Sequence, residues 1–183
     1  PEAAGKPEPA MFKQAAHDRG WVRPLAVGDR LDTDIAGGVA AGIPTLHVLT
    51  GVSGPYALIQ APPAHRPTYV GEDMRALLQT AEGLRPGAQD GFRARIDGSA
   101  LVIDGGRSGA SGVGALRTAL EVAWQSDEAP ADVRAESPAA EAASTRGSRR
   151  VLSCRRATAS CPGSHWRTTS PCRYAMPAPA EGT

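Results

Sequence analysis

Residues 25–35 read Leu-Ala-Val-Gly-Asp-Arg-Leu-Asp-Thr-Asp-Ile, an apolar run that stops at Gly28 just before a helical pattern begins. This arrangement predicts a buried β-strand that delivers Asp29 to the carboxyl edge of a parallel sheet, where α/β folds bind their ligands. Asp32 and Asp34 follow at once. Clustered carboxylates suit a hard cation such as Mg²⁺, and the alternative is that these residues cap the start of the helix.

A second candidate, Lys6, lies upstream, just ahead of a helix predicted near residues 9–19. Met11, Phe12 and Ala15 are expected to form the buried side of that helix, because they recur at helical spacing. A lysine beside a helix N-terminus favours an anion held between its ammonium group and backbone N–H groups. The alternative is an ordinary solvated surface lysine.

Gly5-Lys6-Pro7-Glu8-Pro9-Ala10-Met11-Phe12 and Gly28-Asp29-Arg30-Leu31-Asp32-Thr33-Asp34-Ile35 resemble two motifs of the haloacid dehalogenase-type phosphatases. They are similar to the third and fourth motifs, in the branch of nitrophenylphosphate, phosphoglycolate and glycerol-phosphate phosphatases. Residues 41–52 and 66–70 resemble segments that flank these motifs in that branch. The resemblance covers roughly residues 1–80 and implies an α/β fold, the C-terminal half of a Rossmann-like parallel sheet with flanking helices.

The resemblance implies a Mg²⁺-dependent phosphomonoester hydrolase that acts on a small phosphorylated metabolite through an aspartyl-phosphate intermediate. Lys6 matches the catalytic lysine that neutralises charge on the nucleophile and the phosphoryl oxygens. Asp29 matches the Mg²⁺-binding carboxylate, and Asp34 matches the second acidic residue beside the water shell of the metal. Arg30 is assigned with Lys6 to substrate binding. Asp32 is expected to face solvent or to cap the helix.

The first motif of that family, a strand ending in Asp-x-Asp, does not occur in the expected place. Asp32-Thr33-Asp34 belongs to the fourth motif, and the strand-like residues 101–106 lack a second Asp and come too late in the order. The inserted cap domain is also absent. We therefore expect a C-terminal fragment that is inactive alone, because losing a nucleophile costs about 10⁴- to 10⁶-fold in rate. The alternative is a non-catalytic binding or assembly module.

Apolar periodicity divides residues 1–83, the proposed hydrolase core, into alternating helices and strands. His47 falls within one apolar strand and is expected to be a satisfied core residue. A half-sheet leaves an unpaired edge, which favours homo-oligomers. The predicted strands cover residues 24–28, 45–49 and 67–70, and the predicted helices lie near residues 9–19, 33–41 and 73–80.

Residues 84–126 predict a small β-β-α unit, in which a hairpin with an Asp97-Gly98 turn precedes a helix from Leu116 to Trp124. The unit resembles an acetyltransferase-like appendage of some phosphatases. Residues 109–114 stand where an acetyltransferase would hold the pyrophosphate of acetyl-CoA. That pattern begins with Arg or Gln in the family and with Gly109 here, so a packing or dimer-contact role is favoured.

Residues 127–183 change composition, from an Ala/Pro/Glu-rich linker to an Arg/Ser/Thr/Cys-rich tail. The tail is expected to be disordered or translated from a shifted reading frame. Its three cysteines and His165 lack a Cys-x₂-Cys unit, which disfavours zinc. A net charge of +1 and the absence of a long apolar run predict no specific nucleic-acid partner and no membrane span. Without an apolar signal segment, the expected location is cytoplasmic.

Overall fold

A parallel three-stranded sheet organises the first half of the chain. The computed structural model describes residues 5–145. Its first sheet has the order β1 (Ala26–Gly28), β2 (Thr45–Val48) and β3 (Tyr69–Gly71), with both pairs parallel. The helical connections return each strand to the same end of the sheet, as parallel pairing requires. The predicted Rossmann-like half-sheet is therefore confirmed.

Short helical segments accompany these strands. The helix after β1 begins as a wider π-helical turn, in which the N–H of Ile35 donates to the carbonyl of Arg30. The helix predicted near residues 73–80 is instead a 3₁₀ turn followed by a separate α-helix, with Asp73 capping the turn through the N–H of Arg75. The segments are α1 (Ala10–Asp18), a π turn (Leu31–Ile35), α2 (Ala36–Ala40), α3 (Pro55–Ile59), 3₁₀ turns (Pro63–His65 and Met74–Leu78) and α4 (Ala81–Leu84).

The prediction that α1 buries Met11, Phe12 and Ala15 is wrong. No residue of α1 is buried, and Met11 is 41% exposed. Phe12 is half-buried, and a Cβ added at Gly37 of α2 would overlap its ring. Helical spacing located an apolar face, of which Phe12 packs against Gly37 of α2 while Met11 and Ala15 stay exposed.

A second three-stranded sheet follows. β4 (Phe92–Asp97) runs antiparallel to β5 (Ala100–Gly105), and β6 (Asp132–Ala135) pairs with β5 in parallel. Asp97 pairs with Ala100, so the turn is Gly98-Ser99, one residue later than predicted. Gly98 has φ +59°, a conformation that glycine adopts without strain. The helix predicted at Leu116–Trp124 is α5 (Gly112–Gln125).

The prediction of a linker from residue 127 is wrong for the described residues up to 145, which include a strand and a helix. β6 extends the second sheet, and α6 (Pro138–Thr145) packs on it with Ala140 and Ala143 fully buried. Alanine side chains allow close helix packing, although their enrichment also matched a linker composition. The tail from residue 146, with its cysteines, lies outside the described residues. None of the described helices has the length and apolar character needed to cross a lipid bilayer.

One hydrophobic cluster contains residues from both halves of the described chain, and a smaller one on the first sheet contains Leu46, Val48, Ala76 and Leu84. Trp124 at the end of α5 donates from Nε1 to the carbonyl of Leu58, and Arg66 stacks on its ring at 5.6 Å. The division into units at residues 1–83 and 84–126 stays a prediction. Side chains from both ranges pack together in a single cluster. The shared cluster includes Ile35, Leu58, Ile59, Phe92, Leu101, Leu116 and Leu120.

Candidate active site

Asp34 lies on the first helical turn after β1, and its side chain points back to the carboxyl end of that strand. The N–H of Arg30 donates to Oδ2 of Asp34 at 3.3 Å, and the N–H of Asp34 donates to the carbonyl of Arg30 at 3.1 Å. A Cβ added at Gly28 would overlap the side chain of Asp34, so glycine leaves the space that this carboxylate fills. The wide first turn thus places a carboxylate directly above the end of β1.

Lys6 reaches the same point from the start of the chain. Its Nζ lies 2.7 Å from Oδ1 of Asp34, in an ion pair whose lysine side chain is 46% exposed and whose aspartate is 14% exposed. The family resemblance assigns Lys6 and Asp29 to one phosphate site. The structure pairs Lys6 with Asp34, whereas Asp29 has a different set of contacts.

Asp29 is held by the loop that follows β2. The N–H of Val52 donates to its Oδ2 at 2.8 Å, and the N–H of Ser53 donates to its backbone carbonyl at 3.0 Å. A Cβ added at Gly51 would overlap the Asp29 carboxylate, so the loop backbone lies directly on it.

Arg30 and Asp32 form an exposed pair beside this site. The guanidinium donates to both carboxylate oxygens, at 3.2 Å from Nε and 2.9 Å from Nη2. This pairing raises the pKa of Arg30 and lowers the pKa of Asp32. Asp32 is 59% exposed and does not cap the helix, so of its two expected positions it occupies the solvent-facing one.

The donor chemistry at the end of β1 fits a hard divalent cation in part. Asp29 and Asp34 offer carboxylate oxygens, which Mg²⁺ prefers. Residues 5–145 contain no group of three or more His, Cys, Asp or Glu side chains placed to hold a metal. Mg²⁺ commonly binds through one or two carboxylates while keeping several waters, so these two residues fit part of its shell.

His47 lies on β2, next to the loop that holds Asp29. It is fully buried on β2, paired in register with Gly28, and its Nε2 lies 2.9 Å from the carbonyl of Ser53. Among residues 5–145 its buried Nδ1 finds no hydrogen-bond partner, so the expected satisfied core histidine is only half satisfied. Burial lowers the pKa of His47, against opposing effects of the Ser53 carbonyl and of Asp29.

Sequence reasoning missed the contacts that the loop makes. Gly51 and Val52 lie in a segment that resembles the family, but no local sequence pattern predicts their contact with Asp29. The signal that was present was a histidine inside an apolar strand, immediately before that loop.

The N-terminus of α5, at the end of the glycine-rich turn, is capped by side chains of the chain itself. Ser111 caps the helix through the N–H of Gly114 at 3.0 Å. Asp90 accepts hydrogen bonds from both the N–H and the hydroxyl of Ser111, and a Cβ added at Gly114 would contact its Oδ2. A carboxylate therefore lies where a phosphate group would sit, which favours a packing role for this turn.

Comparison with known proteins supports the motif assignment. Residues 3–77 match a family model described as HAD-hydrolase-like. Over 103 residues the chain is 44% identical to D-glycerol 3-phosphate phosphatase of Mycobacterium tuberculosis. This match covers 56% of this chain and 29% of that protein. It is 39% identical over 84 residues to an acid sugar phosphatase of Staphylococcus epidermidis, covering 45% of this chain and 32% of that protein.

Similarity in structure extends through both sheets. A crystal structure of glycerol phosphate phosphatase from Mycobacterium tuberculosis in complex with magnesium matches with a TM-score of 0.72 and 37% identity. The match covers 81% of this chain and 44% of that one. The chain thus spans less than half the length of these relatives. Residues 3–77 of the chain are therefore similar to the haloacid dehalogenase-like hydrolases.

Proposed function

We propose that this chain forms the Mg²⁺- and phosphate-binding half of a phosphomonoester hydrolase. The observation that carries the proposal is the ion pair between Lys6 and Asp34, 2.7 Å long, at the strand end that also presents Asp29. These are the three positions that match the family motifs, and 28 residues separate the paired two in sequence.

Each residue has a separate task in this proposal. Asp29 and Asp34 hold Mg²⁺, which supplies charge neutralisation for the phosphoryl group. The Lys6 ammonium binds a phosphoryl oxygen and keeps it beside the two carboxylates. The N–H of Val52 orients Asp29, and the N–H of Arg30 orients Asp34. Substrate binding by Arg30 also stays a prediction, since its guanidinium is paired with Asp32.

The nucleophile of the aspartyl-phosphate mechanism comes from an Asp-x-Asp strand that these 183 residues do not contain. Residues 1–183 alone are therefore proposed to have negligible turnover. The substrate class is a small phosphorylated metabolite, because the relatives are a D-glycerol 3-phosphate phosphatase and an acid sugar phosphatase. A cytoplasmic location and homo-oligomer formation remain predictions.

A chimeric enzyme tests the proposal. Residues 3–77 of this chain replace the matching segment of the Mycobacterium tuberculosis phosphatase, and Mg²⁺-dependent hydrolysis of glycerol 3-phosphate is measured. We expect turnover that Asp29→Ala abolishes and that the control Asp32→Ala retains. A folded chimera without turnover, or one that is indifferent to Asp29→Ala, contradicts the proposal and favours the non-catalytic module.

A further inference from the structure

His47 is the described side chain whose environment is hardest to explain by packing alone. It occupies the central strand of the first sheet, is fully buried, and pairs in register with Gly28 on one side and Val70 on the other. Burying an imidazole is unfavourable unless its nitrogens find partners, and within the part of the chain that the structure describes Nδ1 has none. An apolar residue at this position would avoid that cost.

The contact made by the other nitrogen defines the state of the ring. Nε2 lies 2.9 Å from the carbonyl oxygen of Ser53. A carbonyl oxygen can only accept a hydrogen bond, so Nε2 must carry the proton and donate it. His47 is therefore assigned as the neutral Nε2–H tautomer with a bare Nδ1.

Ser53 connects this imidazole to the candidate site. Its carbonyl accepts from His47, its N–H donates to the carbonyl of Asp29 at 3.0 Å, and its hydroxyl accepts from the N–H of Leu31 at 3.1 Å. The preceding residue, Val52, donates to the Asp29 carboxylate itself. One loop residue thus joins the buried ring to the backbone on both sides of Arg30.

We infer that His47 is a positioning residue, which holds the loop of residues 51–53 over β1 and so fixes the direction of the Asp29 carboxylate. The inference rests on the proposed function, since it assigns the loop the task of preparing Asp29 for Mg²⁺. His47 acts only through Ser53 and Val52. Without the Nε2–H bond, the Ser53 carbonyl loses its donor and the N–H groups that hold Asp29 gain freedom.

The test uses the 183-residue chain and two substitutions at one position. His47→Gln keeps an N–H donor within reach of the Ser53 carbonyl, while His47→Leu keeps the bulk and removes the donor. Leu46→Ala, at a fully buried neighbour on β2 that packs with Val48, Ala76 and Leu84, controls for general weakening of the strand. The readouts are amide hydrogen exchange at Val52 and Ser53 without metal, and Mg²⁺ affinity by titration.

We expect His47→Leu to speed exchange at Val52 and Ser53 by about tenfold and to weaken Mg²⁺ binding by a similar factor, with His47→Gln restoring most of both. Equal acceleration in Leu46→Ala would reduce His47 to a packing residue and overturn the inference. Unchanged exchange in His47→Leu would overturn it as well. A ¹⁵N spectrum of the unsubstituted chain that places the proton on Nδ1 overturns it without any variant.

Asp29→Ala separates this inference from the proposed function. If Asp29→Ala abolishes Mg²⁺ binding while His47→Leu changes nothing, the positioning role fails and the metal assignment stands. If Asp29→Ala leaves Mg²⁺ binding unchanged, the metal assignment fails, and faster loop exchange in His47→Leu then supports only the mechanical link between the ring and the loop.

Discussion

Lys6 Nζ and Asp34 Oδ1 lie 2.7 Å apart, although the two residues belong to different motifs. The pair joins the segment before α1 to the first turn after β1. A lysine that is nearly half exposed can hold this position and still present N–H groups outward, because an ammonium group has three donors. A phosphoryl oxygen could therefore be bound without breaking the pair.

Lys6→Ala should reduce phosphate binding much more than it reduces stability. An exposed ion pair contributes about 0 to 1 kcal/mol to folding, whereas loss of a cation from a phosphate site costs most of the binding of that anion. In the chimera described above, inhibition by inorganic phosphate should weaken by about tenfold or more. Lys13→Ala on α1 is the matched control, and an equal effect of the two substitutions would contradict the role of Lys6.

Asp29→Asn should weaken Mg²⁺ binding while leaving the loop in place. The amide oxygen of asparagine can still accept from the N–H of Val52, so the substitution removes charge and keeps this contact. We expect affinity to fall by about tenfold to a hundredfold in a Mg²⁺ titration. Asp32→Asn removes an equal charge from the exposed pair with Arg30 and should leave the affinity unchanged. If both variants bind alike, general electrostatic attraction explains the binding instead.

Gly51→Ala should displace the Asp29 carboxylate, because an added Cβ at this position overlaps it. Overpacking of this kind costs about 1–3 kcal/mol in stability, and it should also lower Mg²⁺ affinity. Gly54→Ala is the control, since a Cβ there meets nothing within 4 Å and the backbone φ of −88° is ordinary. Chemical denaturation and Mg²⁺ titration check both variants. A Gly51→Ala chain as stable and as tightly binding as Gly54→Ala would refute the close approach.

Arg117→Met should destabilise the contact between the two sheets. This arginine is buried on α5 and donates to the carbonyl of Val70 from Nε and Nη2, and to Gln89 from Nη1. Burial lowers the pKa of Arg117. Removing its bonds should cost about 2–4 kcal/mol in urea unfolding, since they involve a charged donor and leave a buried carbonyl unpaired. Arg134→Met, which removes an exposed ion pair with Asp132, should cost about 1 kcal/mol or less.

The stability of the chain should fall as the pH falls below the ordinary His47 pKa of 6.5. Burial lowers the pKa of this residue in the folded state, so the unfolded chain binds more protons in the window just below 6.5. The stability that neutral His47 contributes is therefore complete above pH 6.5 and is lost as the pH decreases below it. Urea unfolding of the metal-free chain between about pH 7 and about pH 5.5 measures the slope. His47→Gln should reduce this dependence of stability on pH. Equal slopes in the His47→Gln variant and the unsubstituted chain would contradict the assignment of the pH dependence to His47.

The sequence by itself determined the parallel half-sheet and the resemblance to a phosphatase family. Apolar runs that alternate with helical spacing at residues 24–49 can bury both faces only as parallel β-α units, and the motifs around Lys6 and Asp29 are local patterns. The same local character made two predictions wrong. Met11 lies on an apolar helical face that stays exposed, and the alanines of α6 pack in a core although their composition matched a linker.

Only the tertiary structure decided which side chains meet. Lys6 and Asp34 are 28 residues apart, and Asp29 and Val52 are 23 apart, so no spacing rule could pair them. Such contacts depend on how β1, β2 and the loop after β2 stack, which is set by burial across the whole core rather than by any segment. For the same reason, the partner of His47 became visible only once Ser53 was folded over the end of β1.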